Sequence, residues 1–99
     1  MNEYIYRLQL IERLNKDENW TDEDNRIVDI HFNYLKELLN QNKLILAGRT
    51  TNEDKFGIVI FEAESDENAL EIMNNDPAIL NGIMTGQLFP YRVGLIRKG

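Results

Sequence analysis

The feature that most restricts this chain is a pair of strand-like segments with apolar residues on both faces, in a sequence of only 99 residues. From Phe56 to Ala63, the side chains of Phe56, Ile58 and Ile60 fall on one side and those of Val59 and Phe61 on the other. That alternation is the two-residue period of a strand. Gln87 to Ile96 repeats it, with Leu88 and Ile96 opposing Phe89, Tyr91, Val93 and Leu95. An antiparallel sheet with one face in water should be polar on that face. A chain of this length has helices enough to cover one face. The other is expected to pack against a second copy, so a homodimer is expected.

The remaining segments complete a single α+β domain over residues 1–99, in the order β-α-β-β-α-β. Tyr4 to Ile11 alternates as a strand, and Glu12 to Trp20 is a polar loop. Thr21 is an N-cap for a helix over about Asp22 to Asn40, with Asp22, Glu23 and Asp24 at the positive end of its dipole. Asn42 tolerates the left-handed conformation that closes a helix. A second strand opens at Leu44 and runs to about Arg49, and Thr51 to Asp54 is a turn. Ser65 caps a second helix over about Asp66 to Asn74. Asp76-Pro77 stops it, because a residue before proline avoids the helical region. Ala78 to Ile83 has room for one further turn. Pro90 marks a sheet edge or a bulge.

Composition narrows function by exclusion. The net charge is −6, and the Lys and Arg residues are scattered rather than clustered as nucleic-acid binding requires. The acidic run Asp17 to Asp24 reads as a solvated loop and helix start. No cysteine is present, which removes disulfides and thiolate metal sites. A single histidine gives no metal-ligand spacing, so no metal and no cofactor are expected. Met1 to Leu10 has neither a basic start nor an unbroken apolar run. Cytoplasmic location without membrane contact is the expectation.

The one histidine is the most informative residue. At about 100° per residue, Ile27, Ile30, Tyr34, Leu35 and Leu38 form one apolar stripe, and His31 falls within it. A polar side chain there points at the sheet and needs a partner, or costs roughly 1–3 kcal/mol. A backbone carbonyl or a tyrosine hydroxyl would satisfy it as a plain core residue. Asp76 is the alternative partner. The two helices of such a fold lie side by side on one face, so the end of one can approach the middle of the other. A carboxylate beside an imidazole fixes its tautomer and raises its basicity, though no nucleophile is evident. Asp76-Pro77 reads equally well as a simple helix stop.

The stretches "HFNYLKELLNQNKLILAGRT" and "FGIVIFEAESDENALEIMNNDPAILNGIMTG" together resemble the YciI-like (YCII-related) proteins along nearly the whole chain. The resemblance is carried by His31 with Tyr34-Leu35, by Ala47-Gly48, and by Ser65 with Ala69 leading to Asp76-Pro77. It implies a ferredoxin-like fold that dimerises sheet to sheet into an α+β barrel. It also implies that His31 and Asp76 form an active site in a cleft. Asn42 stands where the family often has Gly, and Arg49 where it favours Pro after the Ala-Gly pair. Arg49 thereby brings a positive side chain near the expected pocket mouth, unless it is merely a solvated strand end.

Tyr6, Tyr34 and Arg49 are the candidates for lining the site. Trp20, in the loop before the helix, either covers a pocket or caps the core edge. Two functions fit these residues. One is a small-molecule enzyme using His31 and Asp76 for acid–base chemistry in elimination, isomerisation or hydrolysis. The other is a non-catalytic ligand-binding or regulatory dimer in which the pair grips a small polar ligand. A purely structural tie between the helices is the third possibility.

Overall fold

Alternation in the first strand sets the architecture. In the computed structural model, which describes Met1 to Lys98, β1 runs Asn2–Leu10 and buries Tyr4, Tyr6 and Leu8 on one face. It pairs antiparallel with β3 (Gly57–Ala63) on one side and β4 (Met84–Tyr91) on the other. A further strand, β2 (Leu44–Arg49), pairs antiparallel with β3 and completes the order β2-β3-β1-β4. The chain is thus an α+β fold on a four-stranded antiparallel sheet, with the element order expected from the sequence.

Three helices cover the face that holds Tyr4, Tyr6, Val59 and Phe61. Helix α1 (Asp22–Asn40) starts at a capping box. The Thr21 hydroxyl accepts from the Asp24 amide, and the Asp24 carboxylate accepts from the Thr21 amide. The helix ends before Asn42, which takes the left-handed conformation at φ 60°. Helix α2 (Asp66–Asn74) is capped by Ser65. Asp76 then caps a single turn, α3 (Pro77–Leu80), with Pro77 at its first position, where a missing N–H costs nothing. Arg13, in a short 3-10 turn after β1, grips the buried Asp24 through both guanidinium nitrogens at 2.8 and 2.9 Å. This fastens the loop to the start of α1.

The packing forms two linked clusters. The larger contains Tyr4, Tyr6, Leu35, Leu38, Phe61 and Met73; the smaller gathers Leu14, Ile27, Ala78 and Ile83 under the loop and α3. Gly86 in β4 allows the closest approach between layers. A β-carbon there would lie 2.6 Å from Ile79 Cδ1 and 3.0 Å from Met73 Sδ. The absent side chain lets α2 and α3 sit down on β4.

The last strand differs from the sequence expectation of Gln87 to Ile96. It begins at Met84 and stops at Tyr91, and Val93, Leu95 and Ile96 lie outside the sheet. The pairing gives the reason. Tyr91 is opposite Glu3, and just beyond it the Val93 amide donates to the Glu3 side chain at 3.0 Å instead of continuing the backbone ladder. At the other end β1 reaches Leu10, which draws Met84 into the ladder. Pro90 lies on an edge strand, as expected.

On the uncovered face the register aligns Leu46, Ile60, Ile5 and Phe89 in one row across all four strands. Leu46 is 50 % and Phe89 47 % exposed.

Thr21→Ala is expected to lower the unfolding free energy in urea titration by about 1 kcal/mol, the usual cost of an N-cap. Hydrogen bonds from Arg13 and from the Thr21 amide hold the Asp24 carboxyl well below its ordinary value of 3.8. Its contribution is present above that value and is lost as the pH falls through the depressed one. In Asp24→Asn the acid-induced decline in stability should therefore be shallower.

Candidate active site

The site begins with a proline. Pro77 keeps Asp76 out of the helical region, at φ −59° and ψ 123°, so the Asp76 carboxylate folds back over α3. Its Oδ1 accepts from the Ala78 amide at 3.0 Å and lies 2.6 Å from His31 Nδ1. Its Oδ2 accepts from the Tyr6 hydroxyl at 2.7 Å. Asp76 is completely buried and His31 is 9 % exposed. A buried carboxylate is costly unless it is fully hydrogen-bonded, and here donors from β1, α1 and α3 converge on it.

The network fixes the imidazole tautomer. Tyr6 and the Ala78 amide already donate to the carboxylate, so Nδ1 completes the set as an N–H donor. The neutral ring then carries its lone pair on Nε2. That atom has no hydrogen-bond partner, and among the described residues no buried side-chain nitrogen or oxygen lacks one. Nε2 is therefore open to the cavity that His31 lines.

Both nearby phenols are locked in the neutral form. Burial, then the Asp76 charge, pushes the Tyr6 hydroxyl far above its ordinary range. The same two causes raise Tyr34 to about 12. Tyr6 thus remains a donor at any physiological pH. Phe61 holds its ring edge-on, with centroids 5.5 Å apart at 74°. Tyr34 donates to the Ile72 carbonyl at 2.7 Å and ties α1 to α2.

The cavity, about 500 Å³, opens between α1 and the β2–β3 side of the sheet. Val28, His31, Phe32 and Leu35 form the helix wall, and Ala47, Gly57 and Val59 lie on the sheet side. The small residues there leave the space unfilled. Trp20 closes one side, its indole N–H donating to the Leu14 carbonyl at 3.0 Å. Arg49 and Lys55 stand in the lining with Phe56.

Of the residues singled out from the sequence, His31 and Asp76 meet directly, and Arg49 and Trp20 line the cavity. Tyr6 and Tyr34, expected as lining residues, stand outside it: Tyr6 supports Asp76 from behind, and Tyr34 bonds to α2. Lys55, Phe56 and Phe32 also line the cavity and were not singled out. The only local signal for the first two was their place just after the turn cluster at 51–54. Among the described residues no three His, Cys, Asp or Glu side chains gather as a metal ion would require. No helix there is long and apolar enough to cross a membrane.

With the site in view, the comparisons place the chain. The model of the YCII-related domain matches residues 9–88, most of the sequence, and the chain belongs to that family. Its fold is similar to that of the 5-chloro-2-hydroxyhydroquinone dehydrochlorinase TftG from Burkholderia phenoliruptrix, solved in complex with 2,5-dihydroxybenzoquinone. The two structures align with a TM-score of 0.70 at 18% identity, over 93% of this chain and 95% of the other. No curated protein matches the sequence.

Asp76→Ala removes the acceptor for His31, Tyr6 and the Ala78 amide together. Each orphaned donor costs about 1–3 kcal/mol, so the variant should unfold at markedly lower denaturant than the parent. Tyr6→Phe should cost less, about 1–2 kcal/mol. The ¹⁵N spectrum of His31, the only histidine, should show Nδ1 protonated in the parent. In Asp76→Asn it should show a mixture of tautomers.

Proposed function

We propose that this protein is a small-molecule enzyme in which His31 Nε2 moves a proton to or from the ligand and Asp76 holds the ring. The carrying observation is the 2.6 Å contact between Nδ1 and a fully buried carboxylate, which leaves Nε2 as the basic atom at the cavity wall. A base so placed takes a proton from an acidic hydroxyl or carbon of a bound molecule. Asp76 stabilises the imidazolium that results, and the ring returns the proton to a leaving group or to another carbon. The lining contains no Ser, Thr, Asp or Glu. Elimination and isomerisation therefore fit better than a route through a covalent intermediate. Membership of the YCII-related family and the fold shared with a dehydrochlorinase support the same reading.

The test uses that relative's substrate type. Chloride release from 5-chloro-2-hydroxyhydroquinone, a loss of HCl that needs no oxidant, should be measurable with the parent. It should fall by roughly a hundredfold or more in His31→Gln, the usual scale of a general acid–base group. Release that persists in His31→Gln counts against the reading. The lack of a hydroxyl or carboxylate nucleophile in the lining also favours a second reading, a dimer that binds a ligand without turning it over. Ligand-induced thermal stabilisation with no product would support that one.

We also propose that the uncovered face pairs with a second copy, giving a ferredoxin-like dimer closed as an α+β barrel, in the cytoplasm as the cysteine-free composition suggests. The row Leu46, Ile60, Ile5 and Phe89 supplies the contact. Ile60→Lys should convert a dimer to a folded monomer in sedimentation analysis. A parent that sediments as a monomer at micromolar concentration would exclude the pairing.

A further inference from the structure

The charge around the cavity runs opposite to that of the chain. The sequence holds 17 acidic and 11 basic residues, yet the lining has no carboxylate, and besides His31 its only charged side chains are Arg49 and Lys55. Among the described residues neither cation forms an ion pair. The ion pairs among the described residues are Arg13–Asp24, Arg26–Glu23 and His31–Asp76. The backbone brings the two cations to the same end of the cavity. The Thr50 amide donates to the Phe56 carbonyl at 2.9 Å, and the Phe56 amide to the Thr50 hydroxyl at 3.0 Å. These bonds close the turn directly between Arg49 and Lys55. Arg49 also pairs with Gly57, on the same face of the sheet as Ala47.

The rest of the lining is apolar and includes the aromatic residues Trp20, Phe32 and Phe56, with the Lys36 ammonium 5.0 Å from the Phe32 ring centroid. The Phe56 ring lies against the Arg7 guanidinium, 4.3 Å from its centroid, on the side of the sheet that Arg7 occupies, so Trp20 and Phe32 supply the aromatic surface of the cavity. Flat faces of this kind suit a flat ligand. Two uncompensated cations beside low-dielectric walls concentrate anions, and a guanidinium matches the geometry of paired anionic oxygens.

We infer that the cavity takes a planar aromatic anion, with its ring against the aromatic wall and its carboxylate or phenolate oxygens at Arg49 and Lys55. This sharpens the acid–base reading, on which it rests for the chemistry after binding. The anionic end sits at the mouth, and the opposite part of the ring is presented toward His31. Arg49 and Lys55 then determine specificity without taking part in the proton transfer.

The experiment compares 4-hydroxybenzoate with 4-hydroxybenzamide, which match in size and differ in charge at neutral pH. Trp20 is the only tryptophan and His31 the only histidine, so indole fluorescence and imidazole resonances both report on this cavity. The benzoate should bind about tenfold or more tightly than the amide at low salt, with the difference shrinking as salt screens the cations. Arg49→Gln with Lys55→Gln should abolish that preference, weakening the benzoate by about tenfold more than the amide. Equal affinities in the parent, no binding of either probe, or a preference that survives the double substitution would each overturn the inference. The two readings can fail separately. Selective anion binding without chloride release sinks the acid–base reading alone. Chloride release without anion preference sinks only the specificity.

Discussion

A carboxylate sealed from water cannot be left partly satisfied, and the arrangement of this fold follows from meeting that requirement at Asp76. Its donors come from a strand, a long helix and a single helical turn that are distant in sequence. The three stabilise one another, since each supplies a donor to the same carboxylate. Gly86 permits the third approach, because without it Ile79 and Met73 could not settle against β4. Phe61 constrains the first by packing against Tyr6. The interactions that hold the layers together also hold the imidazole, so the stability of the core and the geometry of the candidate site share the same atoms.

Local signals were legible in the sequence, and long-range ones were not. The limits of α1 and α2 could be read because Thr21, Ser65 and Asn42 act within a few residues of themselves. The end of β4 is not legible in this way, because Val93, Leu95 and Ile96 continue the alternation. Alternation records only which faces are apolar, whereas a strand also needs a backbone partner, and past Tyr91 the Val93 amide bonds to the Glu3 side chain instead. Within the site, His31 stood out as a polar residue in an apolar stripe, and Asp76 through its proline. The Tyr6–Asp76 bond spans 70 positions and leaves no periodic trace. Lys55 was hidden for a different reason: the bonds that close the turn beside it run through Thr50 and belong to no regular element.

The sheet serves two roles on its two sides. The covered side carries the aromatic core and the cavity, where Ala47 and Gly57 occupy positions that larger residues would fill. The uncovered side carries a row of aliphatic and aromatic residues flanked by Arg7, Gln87, Glu3 and Glu62. An apolar strip with charged borders has a defined register as well as a defined area, which scattered exposed leucines would not provide.

Pro90 and the irregularity between Leu44 and Leu46 fall on the two outer strands. Proline removes one amide from the rim of β4, and the bulge breaks the spacing of the rim of β2. Neither border offers the continuous row of free amides and carbonyls on which a stray strand could template itself. A chain with this much apolar sheet surface would otherwise be prone to stacking end on end into fibres. Its blunted borders direct growth of that kind to a halt.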